Sequence, residues 1–230
     1  TEGEAAGSLV SLGASDEAHH QVTVKENGLK FSVGLDMQKT GFYCDQRANR
    51  AFLRSVSRGK TVLDLCCYTG GFAISAALGG ASRVTGVDSS ARAIAKAREN
   101  AALNDIAEDV GNFEAEDISK FMTRHLDEGS EWDVVVLDPP KLCPSAKHLK
   151  PALRKYEKLN AMAMGLVAPG GMLMTCTCSG AVTRSDNKFM QMLTNAAARA
   201  GRDVKVLRVS GASGDHMTSL RYPEGEYLTV

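Results

Sequence analysis

No stretch of this 230-residue sequence is apolar for long enough to cross a bilayer as a helix, and no secretory signal pattern opens it. Aromatic residues are scarce, at 6% with a single tryptophan, and there are six prolines. Net charge is absent as well: 27 Lys and Arg balance 27 Asp and Glu. A global attraction to nucleic acid is thereby excluded, so any such partner must meet local basic patches. Six cysteines, at 44, 66, 67, 143, 176 and 178, show neither the even spacing of a secreted disulfide framework nor the CxxC pairs of a zinc ribbon. The expectation is a reducing, cytoplasmic compartment, or an organelle if the source is eukaryotic, with no metal. The three-glycine dinucleotide fingerprint is missing too, which weighs against NAD or FAD. The first residue is Thr1 rather than Met, so more protein is expected upstream.

What is present divides into three stretches. Residues 1–20 are small and polar without sustained period and read as a flexible tail. Residues 21–60 read as an extension: QVTVKENGLKFSVGL alternates on both sides of Asn27-Gly28, the signature of a tight hairpin. A loop and a helix follow, with Asp45 as the expected N-cap. From 61 to 230 a strand–helix rhythm takes over. TVLDLCC, RVTGVDS, NFEAED, WDVVVLDPP and GMLMTCTCS are strands, each followed by a helix, the fourth helix carrying Pro151. VKVLRVSG and EYLTV read as closing antiparallel strands. Near-continuous apolar strands between helices predict an α/β, Rossmann-like domain with a mostly parallel, seven-stranded sheet covered on both faces.

Ligands of such sheets bind beyond the carboxyl ends of the strands, and those ends carry the unusual residues. After the first strand, Tyr68, Thr69 and Gly70 form a turn whose glycine admits close backbone approach at a helix start. Asp64 precedes that turn, where it would repel a pyrophosphate but suits an ammonium. Asp88, followed by Ser89, ends the second strand, where a carboxylate can accept from ribose hydroxyls. Asp117 ends the third, where it can accept from an adenine amino group. Three carboxylates without a phosphate cradle describe a nucleoside joined to an amino acid, S-adenosylmethionine. The competing reading for Asp88 and Asp117 is helix capping.

Two prolines hold Asp138 in the DPP turn after the fourth strand, where Asp138 and Pro139 border the cofactor and Pro140 and Lys141 the substrate. On the fifth strand Cys176 and Cys178 share a face. Either they are small buried hydrophobes, or one is a nucleophile. A thiolate added at C6 of a pyrimidine gives C5 the electron density to accept a methyl group, with an acidic neighbour assisting at N3 and a base removing the C5 proton. Cys178, nearer the strand end, has the reach; Cys176 is expected within the sheet. Cys66 and Cys67 read as packing residues and Cys44 as partly buried. Basic candidates for an RNA path are Arg47, Arg50, Arg54, Arg58 and Lys60 before the first strand, and Lys141, Lys147, Lys150, Arg154, Lys155 and Lys158 after the fourth.

The run QKTGFYCDQRANR, DLCCYTGGF, VVVLDPPKL, TCTCSG and DHMTSLRYPEGEYL resembles the bacterial family of large-subunit ribosomal RNA cytosine-5 methyltransferases. That resemblance implies a class I S-adenosylmethionine-dependent fold, ribosomal RNA as partner, and Cys178 as the nucleophile with Asp138 beside it. It also implies that QKTGFYCDQRANR folds over the cofactor, with Gln38, Asp45 and Arg47 as candidates, Arg47 suiting a carboxylate by its fork geometry. Members of that family usually carry an upstream RNA-binding domain, and DHM stands here where DHP is common, which bears on His216. Two other readings stand beside this one: methylation of an exocyclic amino group, as in related guanine-N2 enzymes that share DPP but need no thiol, and a non-catalytic RNA-binding relative.

Overall fold

Asn27 and Gly28 both take positive φ, 50° and 83°, as a type I′ turn requires. They join β1 (Gln21–Glu26) to β2 (Leu29–Gly34) in register as an antiparallel pair. The computed structural model describes residues 21–34, 41–222 and 225–230; the expected tail, with His19 and His20, and Gln38 lie outside them. After a short 3₁₀ turn, α1 (Arg47–Val56) leads into the alternating body. Its elements are β3 (Thr61–Leu65), α2 (Gly71–Leu78), β4 (Arg83–Asp88), α3 (Ala91–Leu103), β5 (Gly111–Ala115), α4 (Ile118–Asp127), β6 (Trp132–Leu137), α5 (Leu149–Gly165), β7 (Val167–Thr175), α6 (Gly180–Thr183) and α7 (Lys188–Ala200).

All five strands of the body run parallel, in the order β5-β4-β3-β6-β7. The two-residue alternation of strands sorts the core onto two faces. Val62, Val84, Val134 and Val136 pack with α1, α2, α3 and the hairpin, which supplies Leu29, Phe31 and Val33. Leu63, Leu65, Val87, Val135 and Leu137 pack on the other face with Phe121 and Met122 of α4 and Ala163 of α5. Chain direction across the sheet reverses at β3, with β4 on one side and β6 on the other, so the crevice opens beyond the ends of β3 and β6.

Side chains that act as backbone surrogates fix the hairpin to this body. Asn100 on α3 and Asn104 at its C-cap accept from the amides of Ser32 and Lys30 at 2.7 and 2.9 Å, and Asn104 also donates to the Lys30 carbonyl. Arg50, 3% exposed, forks onto both oxygens of Glu26 at 2.6 Å each and donates to the Tyr43 carbonyl at 2.9 Å.

Several expectations need correction. Among the described residues the sheet has five strands, not seven. The closing segments survive only as backbone pairs: Thr177 and Thr229 exchange bonds at 2.9 and 3.0 Å, and Ser210 and Val230 at 2.9 and 2.8 Å. The alternation of 204–209 is real, but Val206, Leu207 and Val209 are more than half exposed, so no burial drives a ladder there. Asp45 does not cap α1; that role falls to Ser213, whose Oγ accepts from the Ala48 amide at 2.8 Å. Arg50 is no RNA contact, being sealed against Glu26. Cys44 is exposed. Pro151 leaves α5 unbroken, because it stands in the first turn, where amides have no helical partner.

Candidate functional site

At the end of β3 the backbone takes positive φ at every second residue: Cys66 at 66°, Tyr68 at 50° and Gly70 at 85°. A side chain at Gly70 would press within 3.1–3.3 Å of Ile74, Ala97 and Phe113 and be strained by the positive φ, so glycine suits this close approach. The turn is tied on both sides. Asp88 Oδ2 accepts from the Tyr68 amide at 3.0 Å and Oδ1 from the Ser90 amide at 2.9 Å. The buried Asn100 donates to the Thr69 carbonyl at 3.1 Å. Asp88 is half-buried, and each of its oxygens keeps a lone pair for a further donor; Ser89 beside it is exposed.

Asp64 lies beneath this turn, fully buried, with Oδ2 accepting from the Ala73 amide of α2 at 2.9 Å. Its Oδ1 has no partner among the described residues. Burial raises its carboxyl to about 8, against the lowering effect of that amide. A buried acceptor without a donor is costly, and a positive group brought to the end of β3 would satisfy it. These features fit an ammonium near Asp64 and hydroxyls at Asp88. Asp117 is exposed and N-caps α4, its Oδ1 accepting from Ser119 and Lys120 at 2.9 and 3.1 Å. Arg47 pairs with Asp215 at 3.0 Å, both partly exposed.

Across the crevice, the register pairs Leu137 with Thr175 and so sets Asp138 beside Cys176, whose amide donates to the Leu137 carbonyl at 2.9 Å. Asp138 Oδ2 accepts from Gln46 Nε2 at 3.1 Å. Burial lifts the Asp138 carboxyl to about 6, against Gln46, which lowers it. The two thiols differ sharply. Cys176 has no exposure, and burial followed by the charge of Asp138 pushes its thiol far up. Cys178 is partly exposed, and its sulfur lies 3.9 Å from the Pro139 carbonyl. Alternation turns its neighbours inward. Thr177 and Ser179 are wholly buried and bond the Tyr156 hydroxyl at 2.9 and 3.0 Å. That network pins the segment from behind, leaving Cys178 on the open side against the DPP turn.

Sequence reasoning missed Tyr43, Gln46 and Tyr227. The Tyr227 hydroxyl donates to Asp45 Oδ2 and lies 3.2 Å from His216 Nε2. Burial, then Tyr68, Asp138, Cys178 and Asp45, raise Tyr43 to about 12. Their signal was available only as the runs FYCDQ at 42–46 and GEYL at 225–228. Pro140, Lys141 and Lys147 are exposed beside the turn. Residues 141–158 expose Lys141, Lys147, Lys150, Arg154, Lys155 and Lys158, with Glu157 the one acid among them.

Residues 10–208 match the family of S-adenosylmethionine-dependent methyltransferases. The chain is 41% identical over 208 residues to ribosomal RNA large subunit methyltransferase I of Shewanella frigidimarina, covering 90% of this chain and 52% of that protein. It is 42% identical over 209 residues to the protein of the same name from Aeromonas hydrophila, with the same coverage. It thus spans about half the length of the curated relatives it matches. A Streptococcus mutans structure described as a SAM-dependent methyltransferase superposes with a TM-score of 0.80 at 24% identity, over 94% of this chain and 56% of that one, a likeness of fold. A five-stranded parallel sheet with its crevice at β3 and β6, together with a match over most of the sequence, shows that the chain belongs to the S-adenosylmethionine-dependent methyltransferase family.

Proposed function

We propose that this chain methylates C5 of a cytosine in RNA, ribosomal RNA by its likeness to relatives of that name, through a covalent bond between Cys178 and C6. The observation that carries this reading is the contrast between the two thiols: Cys178 is partly exposed against the Asp138-Pro139-Pro140 turn, while Cys176 is sealed.

S-adenosylmethionine supplies a methyl group on a sulfonium, an electrophile that aromatic C5 is too weak to attack unaided. Asp64, Asp88 and the 68–70 turn hold the amino-acid and ribose ends; Ser89, Asp117, Arg47, Gln38 and Pro139 complete the proposed cofactor contacts. The Cys178 sulfur bonds to C6, and the C5–C6 electron pair moves into the ring toward N3, where Asp138 donates a hydrogen bond or a proton. C5 would then take the methyl group as the methyl–sulfonium bond breaks and leaves its electron pair on that sulfur as a neutral thioether; a base removes the C5 hydrogen as a proton, and the C6–S bond breaks to return the thiolate. Gln46 fixes the Asp138 carboxyl by occupying one oxygen. The exposed cations of 141–158, with Pro140, are the proposed contacts to a phosphate backbone and its base. A base within folded RNA would have to be extruded to reach the thiol.

Donation by Asp138 has a definite pH signature. Its protonated fraction falls as pH rises through about 6, so kcat/KM should carry a limb that declines above that value. Asp138→Asn keeps a donor that does not titrate. It should act roughly 10²–10⁴-fold more slowly and lose the declining limb, read from the pH profile of methyl transfer; an unchanged profile would remove Asp138 from proton donation. The function itself is tested by the product. Nucleoside mass spectrometry of ribosomal RNA from cells lacking the protein, before and after treatment with enzyme and cofactor, should show 5-methylcytidine appearing at one position. N2-methylguanosine instead would establish amino-group chemistry, and no product would favour a non-catalytic role.

A further inference from the structure

Asp45 is 7% exposed and stands outside the strand–helix body, on the 3₁₀ turn before α1. Its Oδ2 accepts from the Tyr227 hydroxyl, and its backbone carbonyl accepts from both the amide and Oγ of Ser213 at 2.8 and 2.9 Å. Its Oδ1 is buried with no partner among the described residues. The next residue, Gln46, holds Asp138, and the charge of Asp45 acts on Asp138, Tyr43 and Tyr227 alike. Tyr43 and Tyr227 in turn respond to Cys178. These groups therefore gather on one side of the DPP turn, with one buried carboxylate oxygen left without a hydrogen-bond partner among the described residues.

We propose that Asp45 selects cytosine over uracil, its Oδ1 accepting an N–H of the 4-amino group of the extruded base. The inference rests on the C5 reading above and adds the residue that reads the base. Cytosine and uracil present nearly the same shape to a thiol at C6. They differ at position 4, where cytosine carries an amino donor and uracil a carbonyl acceptor. A carboxylate oxygen held from behind by Tyr227 gains its missing bond from cytosine. Before uracil O4 it stays unpaired and faces a second acceptor. Sites built around one hydrogen bond reject the analogue that lacks it far more strongly than apolar pockets reject a missing methylene. Tyr227, with His216 at 3.2 Å, is a positioning residue in this arrangement.

The test compares the full-length enzyme on two transcripts that differ only in cytidine or uridine at the mapped position. Asp45→Asn places an amide where the acceptor stood and can donate to O4. The expected result is a fall of about 10²-fold or more in the cytidine-over-uridine ratio of kcat/KM. Asp45→Ala should lose cytidine activity without the gain on uridine. Should Asp45→Asn not fold, Tyr227→Phe carries the test, since loss of one hydrogen bond should lower the ratio about tenfold. An unchanged ratio in these variants, or equal losses on both transcripts, overturns the inference and leaves the C5 reading standing. Absence of 5-methylcytidine from the wild-type product overturns the C5 reading and this inference with it.

Discussion

Replacing Cys178 with alanine should lower kcat for RNA methylation by roughly 10⁴-fold or more, because no other described group can supply the bond to C6. Cofactor affinity and thermal stability should change little. The side chain is partly exposed, and its segment is held by Thr177 and Ser179 on Tyr156 instead of by the thiol. Cys176→Ala is the informative control. That thiol is sealed, with its proton held tightly by burial and by the charge of Asp138, so its loss should be felt as a small cavity and a modest rate effect through Asp138. Single-turnover rates with labelled cofactor measure both. Near-normal turnover in Cys178→Ala would move the chemistry to an amino group, which needs DPP but no thiol.

Removing Glu26 should have the largest effect on stability. Arg50 would be left charged, 3% exposed and without its carboxylate, beside the Tyr43 carbonyl at 2.9 Å and the Phe42 ring at 4.6 Å. Breaking a buried pair from one side costs about 3–5 kcal/mol, and a chain of this size loses about 2–4 °C per kcal/mol. Glu26→Ala should therefore melt at least several degrees lower in calorimetry. Glu26→Leu with Arg50→Met should recover most of the loss, since apolar replacement of a buried pair is often neutral or stabilising. The Tyr43 carbonyl loses its Arg50 donor in the double variant, so activity should recover less than stability.

The parts of this fold that were legible in the sequence are those whose cause is local. Asn27-Gly28 between alternating runs dictates its own turn, and Val134–Leu137 followed by two prolines dictates a buried strand with a rigid exit. The placement of the candidate residues was legible to the same extent: period two puts Cys178 on the face opposite Thr177, and DPP marks the facing strand end. What could not be read depends on distant partners. Asp45 looked like an N-cap because it precedes a helix, but the capping hydroxyl comes from Ser213, 165 positions beyond Ala48. Arg50 looked like a surface cation until Glu26, 24 positions earlier, was seen to be buried against it. Tyr227 gave little signal, since its role exists only where the GEYL run meets the 3₁₀ turn before α1. The closing strands failed for a different reason: their alternation was correct, but the apolar side chains of 204–209 have nothing to cover them.

The most direct measurement is covalent trapping. Fluorine at C5 cannot leave as a proton, so an RNA carrying 5-fluorocytidine at the methylated position should halt the reaction after methyl transfer, with the RNA still bonded to the enzyme. Incubated with cofactor and then denatured, the protein should migrate as an RNA adduct, and peptide mass spectrometry should place the modification on Cys178. Absence of an adduct while unfluorinated RNA is methylated, or an adduct on Cys176, would contradict the account.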